Sequence, residues 1–331
     1  MKARTRDFLL YCETIDFGKV QLSKMENTFY RRFSKEIVSL CKSLPESART
    51  DAKLFLTLYS GLKLGNELDF FVNYYPPSWS ILYWLCRNNT LPGRQLKKGD
   101  VASAVAAQSM AMFLHSLDDH LADGQVPVSP LTLLLRTQGW AIMDRALRSL
   151  ADGVPAGWGT IRRFIDDYYS SIQNPKALKS LDSYCDLFRR QMGIGMVAPI
   201  LLSLKMTGMS DFTRDLQIAY GSFGIAWRLL DDIRDISHDI EKGSRSAIYL
   251  CLPRKIRTYW NNNTIRARTE SKHSKKAIVS YILENSLIDK MKERICAELE
   301  TAASLVEAHD LTGLAREFRY LTRPLRNRDR T

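Results

Sequence analysis

Residues 224–245 read G-I-A-W-R-L-L-D-D-I-R-D-I-S-H-D-I-E-K-G-S-R, an apolar run with four aspartates set into it. Helix formers dominate, and neither Pro nor Gly interrupts them between Gly224 and Gly243, so the stretch predicts one continuous helix. At about 100° per residue, Asp231, Asp232, Asp235 and Asp239 fall within an arc of roughly 100°, and Gly224 and Arg228 point the same way. Trp227, Leu229, Leu230, Ile233, Ile236 and Ile240 take other directions, so the helix packs on several sides and carries one acidic stripe. Clustered acids without cations are costly in such a setting. Divalent cations remove that cost. Hard carboxylate oxygens suit Mg²⁺, which keeps waters and takes one or two carboxylates together with substrate phosphates.

One acidic stripe alone reads as a solvated helix face; a second cluster changes the balance. Asp118, Asp119 and Asp123 stand in M-F-L-H-S-L-D-D-H-L-A-D-G (112–124), at the end of another mostly apolar helix. Asp119 and Asp123 are about 40° apart in projection and can grip one ion together, whereas Asp118 lies about 100° from Asp119 and ranks below them. Two such helices facing each other make a site for a metal-bridged diphosphate. The candidate catalytic residues are therefore Asp119, Asp123, Asp231 and Asp235. The candidate metal ligands are these four with Asp118, Asp232 and Asp239.

At these residues the chain resembles the all-helical isoprenoid synthase superfamily of trans-prenyl diphosphate synthases, squalene and phytoene synthases, and class I terpene cyclases. Residues 224–235 look like the G-x-A-F-Q-x-x-D-D-x-x-D motif of the chain elongators, with Trp227 for Phe and Arg228 for Gln. They are equally similar to the squalene and phytoene pattern through Arg234, Asp235 and Asp239, and D-H-L-A-D-G (119–124) resembles that group's D-x-x-x-D. A cyclase pattern can be laid on Asp231, Asp235 and Asp239. The resemblance implies an all-α fold, a single orthogonal bundle around a central apolar pocket, and Mg²⁺-dependent ionisation of an allylic prenyl diphosphate, with several ions bridging the diphosphate. It also implies diphosphate contacts at Arg190, with Arg189 beside it, just before the break expected at Gly193, Gly195 and Pro199, at Arg228 and Arg234, and at Lys242 and Arg245 close after Asp239. Arg319 and Tyr320 resemble the C-terminal Arg-Tyr pair of some cyclases.

The elongators' basic G-G-K-R-x-R-P grip on isopentenyl diphosphate is missing upstream of the first cluster, where Y-Y-P-P-S-W (74–79) stands. Arg87, Arg94, Lys97 and Lys98 follow without reproducing it. Cyclisation or elimination by a terpene synthase is therefore the first expectation, and prenyl transfer, by coupling as in the squalene and phytoene group or by elongation, the second.

The remaining chain fits this reading. The 331 residues divide into an arm (1–25), a helical domain (26–325) and a basic tail (326–331). The net charge of +12 suits an anionic substrate and admits peripheral membrane contact, while no zinc-finger or other nucleic-acid motif accompanies it. Six scattered cysteines without a C-x-x-C pair read as reduced packing residues of a cytoplasmic protein, and a homodimer is compatible with the pattern. Helices are expected at 26–44, 47–73, 101–122 with Asp100 as N-cap, 130–150 with Ser129 as N-cap, 160–172, 276–308 and 311–322. The polar basic stretch 261–276 reads as a loop, and Trp79, Trp84, Phe113 and Trp227 are the aromatic candidates for stabilising a cation.

Overall fold

The computed structural model describes residues 2–88, 96–173, 178–208, 210–262 and 268–326. Among the described residues seventeen α-helices follow one another and no strand occurs. They are α1 (Lys2–Thr14), α2 (Lys24–Ser43), α3 (Glu46–Tyr59), α4 (Pro77–Arg87), α5 (Lys98–Ala122), α6 (Pro130–Ala151), α7 (Gly157–Gln173) and α8 (Leu181–Met192). After a 3₁₀ turn at Gly193–Met196 come α9 (Val197–Thr207), α10 (Ser210–Arg234), α11 (Ile236–Lys242), α12 (Ala247–Cys251) and α13 (Arg254–Asn262). The last four are α14 (Arg268–Glu284), α15 (Leu287–Glu307), α16 (Thr312–Leu321) and α17 (Arg323–Arg326). None of the described helices is long and apolar enough to cross a membrane.

Helix α10 is the axis of the bundle. Phe223, Ile225, Ala226, Leu229, Leu230 and Ile233 on it are almost fully buried, and it packs against α8, α9 and, most extensively, α15. Its apolar residues lie on several sides because neighbours surround it, which is the environment their all-round distribution requires. Helix α5 lies against α2, α6 and α9. Small residues in its first half, Ala104 and Ala107, are buried in these contacts, where the absence of bulk allows close approach.

Several expected boundaries move for local reasons. The helix predicted over 224–245 relaxes at Asp235 (φ −88°, ψ 7°). Bonds from Asp235 N to Asp231 O and from Asp239 N to Asp235 O, each 2.8 Å, carry the helical ladder through, so the break is a bend. Helix α3 stops at Tyr59 rather than running to residue 73, because Gly61 takes a φ of +76°. Asp100 is not the N-cap of α5 but sits inside its first turn, accepting from Lys97 N at 3.1 Å and pairing with Lys205 at 2.7 Å. Ser129 caps α6 as its position predicts. The expected loop at 261–276 is helical from Arg268 onward, and residues 263–267 lie outside the described residues. Within the N-terminal arm Leu9, Cys12, Ile15 and Phe17 are buried, and Phe17 meets Tyr75 edge-to-face at 4.7 Å.

A buried polar clamp joins α16 to α4. Glu317, 3% exposed, accepts from Ser80 Oγ at 2.5 Å and from Trp84 Nε1 at 2.6 Å. Burial raises its pKa to about 7, with the nearby Glu26 carboxylate adding to the effect of burial against the two hydrogen bonds.

Candidate functional site

A cavity of about 470 Å³ opens between the C-terminal half of α5, the C-terminal half of α10, and α8 with the 3₁₀ turn after it. That volume is within the roughly 300–1,000 Å³ common for small-molecule sites. Both acidic clusters reach it: Asp119 and Asp123 line it from α5, and Asp231 and Arg228 line it from α10. From this acidic mouth the cavity runs inward past His115, Met112 and Ala111 on one side and Trp227 and Tyr220 on the other. The helical rise sets its depth at about 12 Å along α5 (Asp119 to Ala111) and about 16 Å along α10 (Asp231 to Tyr220). The floor is polar-edged but narrow. A Cβ at Gly195 would come to 3.0 Å from the Tyr220 hydroxyl, so glycine keeps that end open.

The helix α8 wall follows a simple pattern. Tyr184, Leu187, Phe188 and Gln191 line the cavity, which is the i, i+3, i+4, i+7 face of one helix. The expected kink is present as the 3₁₀ turn beginning at Gly193. It brings Ile194 and Gly195 into the lining.

Arg228 is the electrostatic hinge of the site. Its Nε donates to the Tyr184 hydroxyl at 2.6 Å and lies 3.2 Å from Asp232, while Nη1 is 3.6 Å from Asp231. The guanidinium also lies over the Phe188 ring at 5.4 Å. Burial opposes its charge, but Asp232 and Tyr184 outweigh burial and keep it protonated. Asp231 is pushed up to about 6 by burial, a shift that Arg228 opposes and Asp235 and Asp232 reinforce. An under-compensated carboxylate of this kind is where a divalent cation is most favourable. His115 is pushed down by burial, against the pull of Asp119 and Asp118, and so is held toward the neutral form.

Not every candidate joins this cavity. Asp118 turns to another side of α5, paired with Arg136 at 2.5 Å and accepting from Tyr168 at 3.3 Å, because the 100° step from Asp119 points it at α6 and α7. Asp232 is 2% exposed and accepts from Ala247 N at 2.7 Å and Tyr184 at 3.0 Å, so it anchors α12 and α8 to α10. Asp235 is exposed and Asp239 half-buried, one and two turns beyond Asp231 and outside the cavity lining. Burial raises the pKa of Asp239 as well. Arg234 reaches Asp16 at 3.9 Å, and Lys242 and Arg245 are exposed at and after the end of α11. Arg190 is exposed with its Nε 3.4 Å from Asp186 O, and Arg189 pairs with Asp186; Gln191 stands in the lining instead.

The C-terminal pair is committed elsewhere. Arg319 binds Glu300 and Glu307, and Tyr320 lies under Arg323 at 3.6 Å. Of the aromatic candidates only Trp227 lines the cavity, flanked edge-to-face by Tyr74 at 5.6 Å and Tyr75 at 5.5 Å. Trp79 and Phe113 are buried in the core, and Trp84 serves the Glu317 clamp. Arg87, Lys97 and Lys98 are absent from the lining, and Arg94 lies outside the described residues. Sequence reasoning passed over Tyr184 and Tyr74; Tyr74 reaches Ser116, on the Asp119 face of α5, at 2.5 Å across the cavity wall. The α8 periodicity would have found Tyr184, whereas the Tyr74–Ser116 contact links segments with no shared pattern.

Among the described residues, no group of three or more His, Cys, Asp or Glu side chains is close enough to hold a metal by itself. The donor set still fits Mg²⁺, which is held by one or two carboxylates with waters and ligand phosphates rather than by an all-protein cage.

The sequence matches no protein-family model and no curated protein. Solved structures do match along nearly the whole chain. Geranylgeranyl pyrophosphate synthase from Corynebacterium glutamicum has a TM-score of 0.66 at 12% identity, covering 96% of this chain and 97% of that one. The Geoglobus acetivorans geranylgeranyl pyrophosphate synthetase gives 0.60 at 16% identity over 93% and 100%. A decaprenyl diphosphate synthase from Rhodobacter capsulatus gives 0.57 at 12% over 99% and 100%. The all-α isoprenoid synthase fold is thereby established for this chain.

Proposed function

We propose that the protein is a Mg²⁺-dependent enzyme that ionises an allylic prenyl diphosphate in the α5–α10 cavity and transfers the prenyl group to a second prenyl substrate. The observation that carries this reading is the meeting of Asp119 and Asp123 with Asp231 and Arg228 at one mouth of a cavity walled in part by Met112, Leu187, Met192, Ile194 and Trp227. The structures similar in fold are those of geranylgeranyl pyrophosphate and decaprenyl diphosphate synthases. They weigh for transfer over the cyclisation expected from the missing basic grip.

Asp119, Asp123 and Asp231 are the residues that would hold Mg²⁺. Bound there, the metal supplies Lewis-acid neutralisation of the diphosphate leaving group. Arg228, with Nε tied back to Tyr184, offers its Nη groups to diphosphate oxygens. Leu187, Met112 and Trp227 enclose the hydrocarbon and exclude water, which strengthens each charge interaction at the mouth. The Trp227 and Tyr74 faces offer electron-rich surface to an allylic cation.

A second reading, cyclisation or elimination of a single substrate, has one specific observation in its favour. Apart from His115, Arg228 is the one basic side chain among the described residues lining the cavity, so a second diphosphate has no evident partner. Incubation with farnesyl and geranylgeranyl diphosphate, with and without isopentenyl diphosphate, in Mg²⁺ or EDTA, separates the readings. Transfer predicts a longer or coupled product formed from two prenyl substrates; cyclisation predicts pyrophosphate release and a hydrocarbon or alcohol from one. No Mg²⁺-dependent turnover in any mixture would remove both.

A further inference from the structure

A second cleft, of about 440 Å³, lies where the start of α2 meets the end of α4 and the first turn of α5. It is remote from the acidic mouth: Val101, on its wall, is about 27 Å along α5 from Asp119. Its chemistry is the reverse of that mouth. Lys24, Arg32 and Arg87 line it and no carboxylate does. None of the three forms an ion pair among the described residues; Arg32 lies over the Phe29 ring at 5.2 Å, and Arg87 Nη1 rests 3.8 Å from Met25 Sδ. Stacked on a ring, a guanidinium keeps its N–H edges free for an anion. The wall beneath is apolar, with Phe29 and Tyr83 nearly buried and set edge-to-face at 5.5 Å beside Val101.

We infer that this cleft binds a phosphate-headed amphiphile, its anionic head on Lys24, Arg32 and Arg87 and its hydrocarbon against Phe29, Tyr83 and Val101. Three uncompensated cations favour a multiply charged oxyanion, and bidentate guanidinium geometry favours phosphate in particular. An apolar wall adjoining the cations adds affinity only for a ligand whose tail follows its head. A free alkyl phosphate and a membrane phospholipid both have this chemistry.

Dodecyl phosphate is the probe for calorimetric titration. The wild-type protein should bind it at least about tenfold more tightly than inorganic phosphate, and Arg32→Gln/Arg87→Gln, which alters two exposed side chains, should weaken it by about tenfold or more. Val101→Glu, which sets a carboxylate in the cleft, should weaken it similarly, with circular dichroism confirming that both variants are folded. Flotation with phosphatidylglycerol vesicles, lost in Arg32→Gln/Arg87→Gln, identifies a membrane as the source of the head group. Dodecyl phosphate binding without flotation identifies a free phosphate ester. The inference is overturned if dodecyl phosphate does not bind, if inorganic phosphate binds as tightly, or if the cleft variants bind like wild type.

Discussion

Replacing Glu317 by Gln should convert a pH-dependent clamp into a pH-independent one. The carboxylate is buried between Ser80 and Trp84, and its pKa is raised from an ordinary 4.5 to about 7 chiefly by burial. Between those values the folded state holds a proton that the unfolded chain has released, so stability falls as pH rises. The contribution is fully present below 4.5 and lost once pH passes about 7. At ~1.4 kcal/mol per pH unit, the gap amounts to about 3 kcal/mol. Gln preserves the contacts: Trp84 only donates, so the amide oxygen faces it, and the amide NH₂ donates to the Ser80 hydroxyl, which accepts equally well. Urea unfolding of both proteins, followed by far-UV circular dichroism at several pH values from about 4.5 to 8, reads the effect as a difference. Glu317→Gln should gain about 3 kcal/mol on wild type across that range. A stability difference that stays constant to within about 0.5 kcal/mol would show that Glu317 does not titrate in the folded protein and would refute the reasoning.

Asp119→Asn should abolish Mg²⁺-dependent turnover with the circular dichroism unchanged, whereas Asp118→Asn, which breaks the Arg136 pair, should instead destabilise by about 1–3 kcal/mol and retain most activity; equal activity losses would place Asp118 in the site. Tyr184→Phe removes the hydroxyl between Arg228 and Asp232 and should lower both melting temperature and turnover, with wild-type values for both arguing against Arg228 as the diphosphate donor. Gly195→Leu, crowding the Tyr220 hydroxyl, should shift preference to shorter prenyl diphosphates; an unchanged chain-length profile would mean that the substrate tail does not reach that floor.

What the sequence determined by itself was whatever rests on helical periodicity. The stripe of Asp231 and Arg228, the i, i+4 pair of Asp119 and Asp123, the Ser129 cap and the kink at Gly193 all follow from 3.6 residues per turn and local backbone chemistry, and the resemblance carried by the two acidic motifs implied the all-α fold. Tertiary structure alone decided which members of each cluster face the same space. Asp118 and Asp119 are neighbours in sequence, yet a 100° step sends one to Arg136 on α6 and the other to the cavity. Asp232 lies in the acidic stripe but is consumed by Ala247 N and Tyr184. Arg319 finds Glu300 and Glu307 on the helix before it. Helix periodicity gives each side chain a direction, while partners 18, 48 or 19 residues away are chosen by how the helices pack, which no local pattern encodes.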